Sequence, residues 1–209
     1  MNIPIQCDCG KLRGTALDVD TSSGNRMICL CDDCQTYAHF LRRSKDILDA
    51  NGGTDITPLR PAKIKFNSGV EHLKCARLSP KGMFRFYAGC CNTPIANTMA
   101  PWVPFAGTFT AILKPTGGLP ARDAATGPVL ERMMSDFGIG PLPPGSSNRP
   151  SLKFMLGVVQ YFLSGLAKGL NKPSPFFDED SKTPRVEPYI LSKTERESLR
   201  KLAGPNPAF

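Results

Sequence analysis

Short runs of alternating apolar and polar residues fill the first half of the chain. The segments "IPIQC", "KLRGTALDV", "AKIKFN", "EHLKCARL", "GMFRFYA", "TPIANTM" and "GTFTAIL" each carry a few β-leaning positions, bounded by Gly, Pro, Asn or Ser. This pattern predicts an antiparallel, mainly β region. In Ser79-Pro80-Lys81-Gly82, proline at the second position and glycine at the fourth suit a type I turn, so a hairpin is expected there. One short helix is predicted in "DDCQTYAHFLRRS", with Asp32 and Asp33 near its start and basic residues near its end, as the helix dipole favours.

The pattern changes after about residue 114. Thirteen of the 20 prolines lie from Pro115 onward and no cysteine does, which divides the chain into a β domain over 1–114 and a proline-rich, partly helical extension over 115–209. In the extension, Leu152, Met155, Leu156, Val159, Phe162, Leu163, Leu166 and Leu170 recur at helical spacing between Ser151 and Pro173. Its charge-free part, 154–167, is fourteen residues. A bilayer span needs about twenty, so no transmembrane segment is expected. The stripe is expected to pack on the β domain; a membrane-surface contact, a homodimer contact through this helix, or a lid are its other readings. Ser192 and Glu195 have capping-box spacing and predict a last helix running to about Leu202.

Composition adds a constraint on the cysteines. With 209 residues, 41% of them hydrophobic, the chain can bury an ordinary core without covalent staples. Its eight cysteines therefore need another reason. "MNIPIQCDCGKLRG" holds no apolar run of the signal-peptide kind and no basic amphipathic stretch of the transit-peptide kind, so a cytoplasmic protein is expected. In that reducing compartment, closely spaced cysteines are metal ligands or redox centres in preference to disulfides. The net charge of +8 favours an anionic partner. Because the basic residues are dispersed, with "LRRSK" at 41–45 the only tight cluster, a solvated surface is preferred to a nucleic-acid footprint.

Cysteine spacing then suggests chemistry. Zinc held by thiolates at about 2.3 Å needs sulfur atoms about 3.8 Å apart. Cys7 and Cys9, at i and i+2 of an extended segment, share a face and can clasp one ion. Cys29, Cys31 and Cys34 form a three-thiol claw, and three ligands leave a tetrahedral ion with an open corner. Three thiolates give a zinc site a net charge of −1, which weakens water activation but still lets an incoming thiol bind as thiolate. A redox Cys-x-x-Cys pair is the weaker alternative, because Asp32 and Asp33 oppose a lowered thiol pKa. A closed four-thiolate structural site is another. Partners for Cys7 and Cys9 should come from Cys90 and Cys91, which can share an ion only where the backbone bends; Gly89, Asn92 and Pro94 allow a bend. Cys90 could instead be buried or complete the claw. Cys75 reads as a small buried hydrophobe, and His39 and His72 as packed or surface histidines before a fourth ligand or a base.

Taken in order, Cys-x-Cys-Gly, then Cys-x-Cys-x-x-Cys, then a strand and turn ending in a cysteine followed by "NTPI", resemble the glutathione-dependent formaldehyde-activating (GFA) family over roughly residues 5–110. The resemblance implies a β-tent fold with two Zn2+ sites. One, structural, would use Cys7, Cys9 and Cys91. The other, Cys29, Cys31 and Cys34, would be catalytic and engage the thiol of glutathione for addition to formaldehyde. Two departures stand out: Ala88 occupies the place of the family's first late cysteine, with Cys90 beside Cys91, and Gln35 and Thr36 follow the claw where basic residues are usual. Arg42, Arg43 or Arg85 are the candidates to recognise a substrate carboxylate instead.

The expectation is a zinc-dependent carbon–sulfur lyase or synthase, S-(hydroxymethyl)glutathione synthase-like, acting on a small anionic thiol such as glutathione. Its rival is a non-enzymatic, zinc-stabilised β module that binds a protein or nucleic-acid partner.

Overall fold

The fold is given by a computed structural model that describes residues 1–21 and 25–204. In chain order the elements begin with strands β1 (Ile3–Gln6), β2 (Arg13–Ala16) and β3 (Met27–Cys29), followed by helices α1 (Asp32–Phe40) and α2 (Ser44–Ile47). Six strands come next: β4 (Thr54–Leu59), β5 (Ile64–Ser68), β6 (Leu73–Arg77), β7 (Phe84–Ala88), β8 (Thr93–Thr98) and β9 (Ala106–Phe109). The remainder is α3 (Gly118–Thr126), β10 (Glu131–Met133), β11 (Ser146–Ser147), α4 (Leu152–Ala167), β12 (Pro188–Ile190) and α5 (Lys193–Arg200).

The strands form a three-stranded sheet, β1-β2-β5, and a nine-stranded sheet in the order β11-β10-β3-β4-β9-β8-β7-β6-β12. The molecule is thus mainly β with flanking helices. The small sheet and the middle of the large one are antiparallel, as the alternation predicts. The edges differ: β10 pairs parallel to β3 and to β11, and β12 pairs parallel to β6. The large sheet is therefore mixed, because segments beyond residue 114 dock along its two edges. The expected turn at Ser79–Gly82 joins β6 to β7, with the Gly82 N–H donating to the Ser79 carbonyl at 2.9 Å.

Period two along the strands divides two cores. On β7, Phe84, Phe86 and Ala88 face a cluster with Ile3, Ile5, Leu73 and Ile95. Phe176 and Phe177 from the late chain plug this cluster, with the Phe86 and Phe176 ring centroids 4.6 Å apart. The other face of the sheet packs Ile56, Ala76 and Phe109 under Tyr37 and Leu41 of α1. Arg85 and Tyr87 alternate onto that second face, which places an arginine under the start of α1.

Two helix expectations need correction. α1 ends at Phe40 rather than continuing through the arginines, because Arg42 takes a left-handed φ of 56°. α4 starts where predicted but ends at Ala167, before the last periodic residue Leu170, as Gly169 takes a left-handed φ of 61°, and the helix turns the other way. Its buried residues are Phe154 and Gly165, while Leu152, Met155, Leu156, Val159, Leu163 and Leu166 are exposed. The helix is apolar on two opposite sides, and the sheet takes the aromatic one.

Candidate metal centres

The claw is built where a strand becomes a helix. Cys29 ends β3, Leu30 is fully buried and pinned by its N–H to the Met133 carbonyl at 3.0 Å, and Cys31 is the N-cap of α1. The Cys31 sulfur accepts the Cys34 backbone N–H at 3.4 Å, so the capping need of the helix holds one thiol in place. Cys34, in the first turn, completes the trio. Cys29 and Cys31 have their sulfurs 3.3 Å apart, and all three sulfurs lie within 4.8 Å of one another.

Gln35 and Thr36, which stand where basic residues were sought, point inward. Gln35 donates to the Leu30 and Phe137 carbonyls, both at 2.8 Å, and accepts the Gly204 N–H at 2.8 Å. It braces the claw from behind instead of meeting a substrate. Of the three arginines proposed for anion recognition, Arg85 is beside the trio. It is almost fully buried, with its charge acting on Cys34 and Cys31 and its Nη2 3.8 Å from Asp33. Its Nε and Nη1 have no hydrogen-bond partner among the described residues. Arg43 belongs to the other thiol group, described below.

Hydrogen bonds from the Cys29 and Cys31 thiols hold the Cys34 thiol well below the ordinary range; burial opposes them and the Arg85 charge adds to them. Contacts with Cys29 and Cys34, together with burial, push Cys31 up. For Cys29 the Cys31 contact lowers the pKa, but Cys34 and burial outweigh it and bring the thiol to about 12.

A second group unites Cys7 and Cys9 with Cys90 and Cys91. Cys7 and Cys9 lie on a turn after β1, closed by the Gly10 N–H to the Cys7 carbonyl at 2.9 Å with Gly10 at φ 75°, rather than on the extended strand. The Leu12 N–H donates to the Cys7 sulfur at 3.3 Å. Cys90 and Cys91 sit in the β7–β8 turn, where Asn92 at φ 55° and the Cys91 N–H to the Ala88 carbonyl, 3.2 Å, supply the bend that brings both thiols to one side. The sulfur separations are 3.6 Å for Cys7–Cys9, 3.3 Å for Cys9–Cys90, and 3.9 Å for both Cys7–Cys90 and Cys90–Cys91. These bracket the edge of a zinc–thiolate tetrahedron. Both groups thus fit a thiophilic ion in donor type and spacing.

Asp8, between the first two thiols, accepts from Arg43 at 2.8 Å and from Lys114 at 3.4 Å, and Arg43 also donates to the Cys91 carbonyl at 2.9 Å. These braces had no signal in the spacing. Burial raises the Cys91 pKa, but the Thr93 hydroxyl and backbone N–H groups prevail and bring it to about 6. Cys75 lies in the first core, where burial pushes it up to about 12. Neither thiol group includes His39 or His72 among the described residues; His39 is half-buried, and His72 lies 3.7 Å from Glu71.

The residues after β12 return to α1 beside the claw. Arg200 of α5 bridges Asp32 at 2.5 Å and Asp33 at 2.9 Å, and Gly204 binds Gln35 as above. Sequence gave no hint of this clasp, which joins opposite ends of the chain.

Fold and site together define a mainly β protein with one four-thiol and one three-thiol group, each suited to a metal ion. The chain belongs to a family described as "family of unknown function (DUF6151)", whose profile matches residues 1–187. The match contains every cysteine of both groups, and Arg85, and stops just before β12 and the Arg200 clasp. No curated protein matches the chain.

Proposed function

We propose that the chain is a zinc-dependent carbon–sulfur lyase or synthase of the GFA type, working on a glutathione-like thiol adduct on a zinc-braced β-tent scaffold. The observation that carries this reading is the difference in donor count between the two groups. Cys7, Cys9, Cys90 and Cys91 supply four sulfurs, enough to hold a tetrahedral ion by themselves; Cys29, Cys31 and Cys34 supply three and would leave a position for a visiting thiol.

A bound zinc ion would supply deprotonation and orientation of the substrate sulfur. The chain supplies the surroundings. Arg85 brings one positive charge against a trio that, with a divalent ion, carries −1, so the centre becomes neutral and tolerates an additional anionic sulfur. Arg200 offsets Asp32 and Asp33 at the rim, which reduces repulsion of an acidic thiol. In synthesis the thiol loses its proton, a sulfur electron pair forms the C–S bond to the formaldehyde carbon, and the carbonyl π pair moves to oxygen, which takes up a proton. The reverse direction breaks the same C–S bond, with no change of oxidation state.

Metal analysis with thiol titration, followed by NMR detection of S-hydroxymethylglutathione against the uncatalysed rate, tests the reading. Two zinc ions per chain and a rate lost in Cys31→Ser, with the fold retained, are expected. One zinc per chain, or glutathione binding indifferent to Cys31→Ser, overturns the enzymatic reading in favour of a binding module.

A further inference from the structure

α4 is partnered on one side only. At 3.6 residues per turn, Phe154, Val158, Tyr161 and Gly165 share a face. That face is anchored: Phe154 and Gly165 are buried, the Tyr161 hydroxyl donates to the Pro58 carbonyl at 3.3 Å, and the Arg60 guanidinium lies 3.3 Å from the Tyr161 ring centroid. Directly opposite stands the aliphatic stripe of Leu152, Met155, Leu156, Val159, Leu163 and Leu166, with exposures from 76% at Leu152 to 41% at Leu166. Trp102, the single tryptophan of the chain, is 58% exposed and packs edge-on against Phe162 of the same helix, with centroids 5.9 Å apart.

Three further observations select what covers this stripe. Between Ser151 and Lys172 the chain carries Lys153, Lys168 and Lys172 and no acidic residue. Lys153 and Lys168 are exposed and have no ion-pair partner among the described residues; Glu131, near the helix start, hydrogen-bonds Ser151. Second, a cavity of about 210 Å³ lies under the first half of α4, lined by apolar side chains including Met27, Phe105, Phe154 and Val158. Met155 both lines this cavity and belongs to the exposed stripe. Third, no helix among the described residues is long and apolar enough to cross a membrane, so α4 can lie on a bilayer but cannot span it.

A second copy of the chain suits the stripe poorly. A parallel helix pair sets Lys153 near Lys153, an antiparallel pair sets Lys153 near Lys168, and no carboxylate within 151–172 relieves either. Anionic headgroups relieve both ends at once. Tryptophan favours the depth of the headgroup boundary, and lysine stems reach from an apolar face into the polar layer. We propose that α4 and Trp102 form a docking face for an anionic lipid bilayer, with the helix in the plane of the surface, its aliphatic stripe in the acyl boundary and its lysines among the headgroups.

The test uses the full chain with vesicles of phosphatidylcholine alone or of phosphatidylcholine with phosphatidylserine. Co-sedimentation is read alongside Trp102 emission. Binding to the serine-lipid vesicles, a blue shift on binding, and weakening with added salt are expected. Leu156→Glu with Leu163→Glu should weaken binding by at least about tenfold, and Lys153→Glu with Lys168→Glu should remove the preference for the anionic vesicles. All four positions are exposed, so circular dichroism and zinc content should be unchanged. Absence of binding to either vesicle overturns the proposal. So does a concentration-dependent dimer in light scattering that Leu163→Glu disrupts while vesicles are ignored, since the face then belongs to a second copy.

Discussion

Arg85 lies buried on β7 with its charge against the Cys34 thiol, and two of its nitrogens, Nε and Nη1, find no acceptor among the described residues. An arginine left in this state destabilises a metal-free protein and becomes favourable once three sulfurs are thiolates. Arg85→Met should therefore weaken zinc at the three-thiol group by roughly 10–100-fold, the usual effect of losing a group that supports metal ligands. The stripped protein should melt at the same temperature or higher. Arg85→Lys keeps the charge and should recover part of the affinity. Chelator competition and melting with and without chelator measure both effects; equal zinc affinity in Arg85→Met defeats the argument.

The two thiol groups should differ in what their metals do for stability. A metal joining Cys7 to Cys90 closes a loop across 83 positions, whereas Cys29, Cys31 and Cys34 come from one short segment. Treating each metal as a cross-link, the loop-closure entropy is about 4.5 kcal/mol for the first and about 2 kcal/mol for the second. Cys90→Ser is thus expected to lose one metal and a large part of the thermal stability, while Cys31→Ser loses the other metal with a smaller drop. Metal content and denaturant melts of the two variants decide it, and equal drops would show that the claw also holds the fold together.

Much of this architecture can be read from local pattern, and the exceptions have physical causes. The strands that became β1, β2 and β5–β9 alternate and are bounded by turn residues, so they stand out. β4, "TDITPL", contains a proline and opens on polar residues; it is a strand because β3 and β9 flank it. β10, β11 and β12 span two or three residues each, too short for any period, and exist only through parallel docking of distant segments. For α4 the periodicity gave the helix but not its orientation, since Leu152–Leu166 and Phe154–Gly165 are both apolar faces and only the sheet chooses between them. The claw was legible because its three thiols share six positions. Arg42, Arg43 and Arg85 were equivalent in sequence, and topology alone separates them: an arginine between Phe84 and Phe86 must face away from their core, toward α1. The Arg200 clasp leaves no trace, because it joins residues from opposite ends of the chain.

Arg26 should be among the costliest residues to replace outside the thiol groups. Its side chain is only 8% exposed and makes a bidentate pair with Asp55, at 3.0 and 2.6 Å. It also bonds Asp123 at 3.1 Å, Thr126 at 3.2 Å and the Gly127 carbonyl at 3.0 Å, which ties the end of α3 to the strand that delivers Cys29. Arg26→Ala leaves the Asp55 carboxylate without its cation, held by the Thr110 hydroxyl at 2.7 Å, and should cost about 3–5 kcal/mol in denaturant unfolding. Arg26→Lys cannot reproduce the fork and should recover less than half. Loss under about 1 kcal/mol would mean that solvent satisfies Asp55 without help.

Asp49 offers a pH-dependent check on how β10 is held. Its carboxylate accepts the Gly53 N–H at 2.7 Å, the Asn51 N–H at 2.9 Å and Arg132 of β10 at 2.6 Å. Burial raises its pKa, but the Arg132 bond and the two backbone donors outweigh burial and leave it below the ordinary carboxylate value. A depressed folded-state pKa means the native protein binds this proton more weakly than the unfolded chain does. The contribution is present above the unfolded value of about 3.9 and is lost as pH falls through the folded one. Asp49→Asn removes the charge, so the stability difference between native and variant chains should hold steady from neutral pH to about 5 and shrink below about 4. Metal release in acid is common to both chains and cancels in that difference. A difference that stays constant down to about pH 3 would show that Asp49 acts only as a neutral acceptor, with Arg132 pairing elsewhere.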